Sequence, residues 1–213
     1  MPNANSHLAP SGRVAKLPTG PMIGPRPGPT LPSAVAAHPH VWIDAVVTFV
    51  FEDGQLVGLR HNWRFDEFFG SFVIEEHDVD GDGAFDAAEI GAIRDSAFSA
   101  LREYDYFTHV RVDGDELPLD EVSAFTARVE DGVLVYEFAM PLPDLIDPGQ
   151  RAVSASVYDV EYYVEVLLDQ YDPVRFEGIP SGGCTYEIRE DADNPIYYDM
   201  VYPLAITLNC ATS

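Results

Sequence analysis

The residues with the clearest chemistry are 78–89, DVDGDGAFDAAE. Asp78, Asp80 and Asp82 occupy alternate positions, so three carboxylates can converge on one hard cation. Gly83 stands where a sharp turn is needed, and Ala84 follows it, offering only its backbone carbonyl. Asp86 falls at the ninth position, which commonly acts through a water. Glu89 falls at the twelfth, where one side chain can give two oxygens. Phe85, between them, fits the apolar position that ties such a loop to its domain. The spacing is that of a twelve-residue EF-hand calcium loop, and it predicts a bound Ca2+.

A second candidate precedes the first strand. The segment HPH, His38 to His40, follows AVAA, whose small residues at 35 and 37 suit signal-peptidase cleavage after Ala37. Cleavage there makes His38 the first residue, with a free amine beside its own imidazole. That pair can chelate Zn2+, Ni2+ or Cu2+. Pro39 has no amide proton, so the square-planar amino-terminal copper site is excluded, and His40 or a residue of the fold must complete the set. The stretch before the cleavage point has no apolar run, which suggests an altered or misassigned start.

These residues need elements to position them. Phe65, Phe68, Phe69 and Phe72 recur at helical spacing before the loop, as do Ile90, Ile93, Ala97 and Leu101 after it. A helix-loop-helix is therefore expected over about 64–104. From Asp66 to Ile90 there are nine acids and no Lys or Arg, so the bare segment repels itself. No second such loop exists: VDGDELPLDE at 112–121 has Leu117 where the third acid is needed. A lone loop in a calcium-rich compartment stays filled, which favours a structural ion over a signalling one.

Around this insertion the pattern is β. Val41, Ile43, Ala45, Val47, Phe49 and Phe51 alternate, and Asp53-Gly54 turns the chain into QLVGLRHNW. A two-residue turn there sets His61 opposite Val46 and diagonal to Asp44, a polar pair out of reach of His40. Further strands are expected at YFTHVRV, VSAFTARVE, VLVYEFAM and AVSASVYDVEYYVEV, with PLPDLIDPGQ as a loop and two short strands around the cysteines. Along VYDVEYYVE the period of two puts Asp159, Glu161 and Glu165 on one strand face. The fold class is mainly β, an antiparallel β-sandwich with an α insertion between early strands. Residues 1–37, with eight prolines and no periodicity, read as a disordered leader, and 38–213 as one domain.

Composition excludes several functions. The 213 residues carry 36 acids and 12 bases, and Lys16 is the single lysine. Such a charge repels nucleic acid and anionic lipid and draws cations. No apolar run is long enough to span a membrane. Cys184 and Cys210 have no histidine beside them and no C-x-x-C spacing, so they read as a disulfide or as two buried thiols. No nucleophile motif, H-E-x-x-H or phosphate loop is present, and an enzyme is not expected.

The ordered set AHPHVWID, Trp63 with Asp66, AAEI, YDYF at 104–107, VYDVEYYVE and the late Cys184 and Cys210 resembles domain of unknown function 1007. Those bacterial proteins are described as periplasmic components of an uncharacterised ABC-type transport system. The resemblance covers roughly residues 37–212. It implies a secreted or periplasmic protein, often encoded beside nickel, cobalt or zinc transport genes. The resulting expectation is a calcium-binding, metal-handling accessory of a divalent-cation transporter, with an inner-membrane metal permease as partner. The competing expectation is a calcium-stabilised interaction module with no mobile metal.

Overall fold

The computed structural model describes residues 40–119 and 121–211, which belong to one compact unit. His38 and the leader lie outside them. Eleven strands and a helical insertion follow one another in the described chain. The first hairpin pairs β1 (Val41–Glu52) with β2 (Gln55–Phe65) through Asp53 and Gly54, both left-handed at φ +48° and +81°. This is the two-residue turn that the Asp-Gly pair favours, because its twist matches the strands. Burial along β1 alternates as expected, with Ile43, Ala45, Val47, Phe49 and Phe51 inside.

The insertion comprises α1 (Glu67–His77), the acidic loop and α2 (Ala87–Ile93). The chain then widens into one π-helical turn over Arg94–Phe98 and tightens over Leu101–Phe107. After it come β3 (Thr108–Val112), β4 (Asp115–Leu117), β5 (Ser123–Glu130), β6 (Val133–Ile146) and β7 (Val153–Val157). The last strands are β8 (Val164–Leu168), β9 (Val174–Glu177), β10 (Cys184–Glu190) and β11 (Leu204–Cys210). One sheet runs β5-β6-β2-β1-β8, with β9 also on β1; the other runs β10-β11-β7-β3-β4. Both contribute to one apolar core: Phe49, Leu59 and Phe138 from the first, and Val110, Ala155 and Ile206 from the second.

Five details of topology and register differ from the sequence reading. The first sheet is mixed rather than antiparallel, because β8 and β9 run parallel to β1. A crossover causes this: β7 belongs to the second sheet, and the chain returns to the first before β8 begins. AVSASVYDVEYYVEV is accordingly two strands in two sheets, not one. PLPDLI is strand, the far half of β6. Its prolines fall where the β2–β6 ladder is irregular, between Gly58↔Pro141 and Leu56↔Ile146, so few ladder donors are lost.

The other two differences are one-residue slips. A bulge at Val57 moves the β1–β2 register, so His61 pairs with Val47 rather than Val46, and Asp44 pairs with Arg64. One position reverses a strand's faces, and His61 points into the core. The π-helical turn does the same to the second apolar stripe: Phe98, five residues past Ile93, is buried, and Ala97 is exposed. On α1 the buried residues are Gly70 and Val73, while Phe68 and Phe72 stand 83% and 61% exposed. Only Phe69 of the expected α1 phenylalanines packs on the core, against Phe65.

Candidate metal centre

The acidic loop is shaped by its own side chains. Asp66 caps α1 by accepting from the amides of Phe68 and Phe69, and its other oxygen accepts from Trp42 N–H, tying the helix start to β1. α1 ends at His77, and the amide of Asp78 closes on the Ile74 carbonyl. Asp78 then accepts from the amides of Asp82 (3.1 Å) and Gly83 (3.0 Å), which folds the chain back on itself. Gly81 and Gly83 take left-handed φ of +71° and +82° inside this turn, where a side chain would be strained.

The exit is a capping box. Asp86 accepts from the amides of Ala88 and Glu89, and the Glu89 carboxylate accepts from the Asp86 amide at 2.9 Å. The other Glu89 oxygen accepts from Val79 N–H at 2.7 Å, so the twelfth loop position reaches back to the second and closes the ring. Glu89 is buried, and Phe85 packs against the core from the loop's far side.

One carboxylate oxygen from each of Asp78, Asp80 and Asp82 lies within 4.8 Å of the others. That is the spread a single ion bridges when its oxygen ligands stand at about 2.3–2.6 Å. Asp78, Asp80 and Asp82 thus converge, with Asp86 and Glu89 bonded to amides of the same loop and no Lys or Arg from residue 66 to 90. Such an arrangement suits a hard, oxygen-seeking divalent cation.

The histidines are not brought together. His38 lies outside the described residues. The backbone amide of His40 donates to Tyr163 O at 2.9 Å, and its ring lies 4.9 Å from that of Tyr163. His61 pairs with a residue seven places along β1 from His40. It is fully buried, stacked on Phe138, with Nε2 3.2 Å from Thr108 Oγ1 rather than beside Asp44. Burial holds its pKa down at about 3, so it stays neutral.

Sequence reasoning passed over two polar features. His109 is buried against Tyr158, with Nδ1 2.8 Å from Glu116 and Nε2 3.3 Å from the Tyr158 carbonyl. Arg111 joins the same cluster through Glu116 and Asp191. Asp159 is not on a strand face: it is buried in the turn after β7, accepting from the amides of Glu161, Tyr163 and Val164. An Asp whose carboxylate accepts from amides two to five residues on organises a turn. Cys184 and Cys210 are disulfide-bonded across directly paired positions of β10 and β11.

Fold and site together define a β-rich, two-sheet domain with an acidic helix-loop-helix between its second and third strands. Residues 29–206 match the family described as "Protein of unknown function (DUF1007)", and the chain belongs to that family. An uncharacterised 15.5 kDa protein in the trpE 3′ region of Spirochaeta aurantia is 25% identical over 131 residues, 62% of this chain and 93% of the relative. An uncharacterised protein of Haemophilus influenzae is 26% identical over 162 residues, 73% of this chain and 74% of the relative. No solved structure matches this chain. No helix among the described residues is long and apolar enough to cross a membrane.

Proposed function

We propose that this protein is an extracytoplasmic calcium-binding module in which one Ca2+ at residues 78–89 fixes the helical insertion onto the two-sheet domain. The observation that carries this is the convergence of Asp78, Asp80 and Asp82 within 4.8 Å, closed by Glu89. Asp78, Asp80, Asp82 and Glu89 would hold the ion by carboxylate, Ala84 by its carbonyl, and Asp86 through water. The ion offsets the mutual repulsion of the acids and thereby stiffens the insertion. The Cys184–Cys210 disulfide supports an oxidising compartment, periplasmic or secreted.

Calorimetric titration with Ca2+ tests the reading. One ion should bind, with a Kd on the order of 10⁻⁴ M or tighter. Glu89→Gln can keep the bond from the Asp86 amide but loses the one from Val79, and should weaken binding by about tenfold or more. No saturable heat, or full affinity in Glu89→Gln, would overturn it.

A second reading adds a transition-metal cargo, as an accessory that delivers Zn2+, Ni2+ or Cu2+ to or from a permease. What favours it is His40, exposed at the first described position beside His38. Protein beginning at His38 and saturated with Ca2+ should then bind one of these ions below about 1 μM. The His38→Ala, His40→Ala variant should lose that binding. Equal binding by the variant would sink the delivery role.

A further inference from the structure

Three parts of the fold line a cavity of about 420 Å3, within the size range of small-molecule sites. The first sheet supplies Ile43, Trp63, Phe65 and Tyr136. The insertion supplies Phe69, Leu101 and Phe107. The β7–β8 turn supplies Asp159, Glu161 and Tyr163. The lining is dominated by aromatic rings, and its charged members are the two carboxylates, with no Lys or Arg among the described lining residues.

Two features of this lining are unexplained by packing alone. Trp63 Nε1 and Tyr136 Oη are buried without a hydrogen-bond partner, on two residues that both line the cavity. Buried polar atoms are nearly always paired, so each such orphan calls for a reason. Asp159 is 4% exposed, and its hydrogen bonds come from backbone amides, not from a cation. A buried carboxylate ordinarily has a counter-charge.

We propose that this cavity binds a small organic cation with an apolar body and one oxygen, an alkylated ammonium being the simplest case. Aromatic faces attract such a cation through their ring quadrupoles, more strongly where water is excluded. Asp159 and Glu161 supply the opposite charge, and Trp63 Nε1 or Tyr136 Oη, both fully buried, would have to turn toward the cavity to donate to the ligand oxygen. An anionic ligand is disfavoured by the lining and by the formal net charge of −24. The inference stands apart from the calcium reading, since none of the loop residues 78–89 lines the cavity. Five of its lining residues come from the insertion, so a rigid insertion would sharpen the site.

The test is calorimetry on the full chain in excess Ca2+, with choline and its neutral carbon isostere 3,3-dimethylbutan-1-ol as probes. Choline should bind with a Kd of about 1 mM or tighter. The isostere should bind about tenfold more weakly, a cation–π and charge effect of that size being ordinary. Glu161→Gln, an exposed position, should weaken choline and leave the isostere unchanged. Ala97→Phe, also at an exposed position lining the cavity, should abolish both while circular dichroism shows the fold retained. No choline binding, or equal binding of the isostere, overturns the cation. Undiminished choline binding in folded Ala97→Phe overturns the location.

Discussion

The helical insertion and the paired sheets are held by opposite kinds of contact. In the insertion the defining bonds run from carboxylates to nearby amides: Asp66 to α1, Asp78 to the turn, and Asp86 with Glu89 to α2. In the sheets the defining contacts are apolar and distant in sequence. Phe138 on β6 has its ring within 5.0 Å of His61, Trp63 and Phe98. Local carboxylate–amide bonds set a shape but leave a dense negative charge in water. Ring packing removes surface from water and needs no ion. The insertion should therefore depend on its cation, and the sheets should not.

The largest effect expected is in the sheets. Phe138→Ala should cost about 3–5 kcal/mol by the lost burial and the cavity left behind, measured by urea unfolding in Ca2+. A loss this size that disappeared in chelator would mean that the two regions share one support. Next is removal of calcium. At a free ion concentration of 100 times the Kd, the ion should contribute about 2.7 kcal/mol to unfolding of whatever it fixes. Hydrogen exchange in chelator should speed up over residues 67–104 and leave the amides around Phe49 and Trp63 protected. Uniform acceleration would break the contrast.

A pH effect sharpens the comparison from the core side. His61 is held at about 3 in the folded protein against an ordinary 6.5, because burial disfavours its charged form. Below 6.5 the unfolded chain takes up a proton that the folded chain refuses, so this stability is full above 6.5 and falls as pH drops toward 3. The slope should be roughly 1.4 kcal/mol per pH unit in that window. His61→Gln should flatten it, in thermal midpoints compared across pH. An unchanged slope would assign the acid sensitivity to the carboxylates of the insertion.

The smallest effect is on the surface of α1. Phe68→Ser and Phe72→Ser should each stay within about 0.5 kcal/mol, because both rings are largely exposed. Phe69→Ser should cost more, since that ring packs on Phe65. Equal costs at all three would show the outer face of α1 to be covered in solution.

Much of this was legible in residue order. The Asp53-Gly54 turn and the alternation of β1 depend on neighbours a few positions apart, and the structure places both where spacing put them. The strand character of PLPDLI was not legible, because a partner strand must be present before prolines can be assigned to an irregular stretch. Nor was the role of Asp159, since a single run of alternating residues hides the change of sheet that its turn accomplishes.

The sequence by itself determined the first hairpin, the β-rich class and the place of the helical insertion, because those follow from local spacing and periodicity. Tertiary structure alone decided which side His61 and Phe98 face. Each depends on a single extra residue, a bulge at Val57 and a π-helical turn at 94–98, and such shifts are selected by how the distant core closes. It also decided that Trp63, Tyr136 and Asp159 line one cavity, since Trp63 and Tyr136 are paired across β2 and β6 and Asp159 reaches them only through the crossover from β7 to β8.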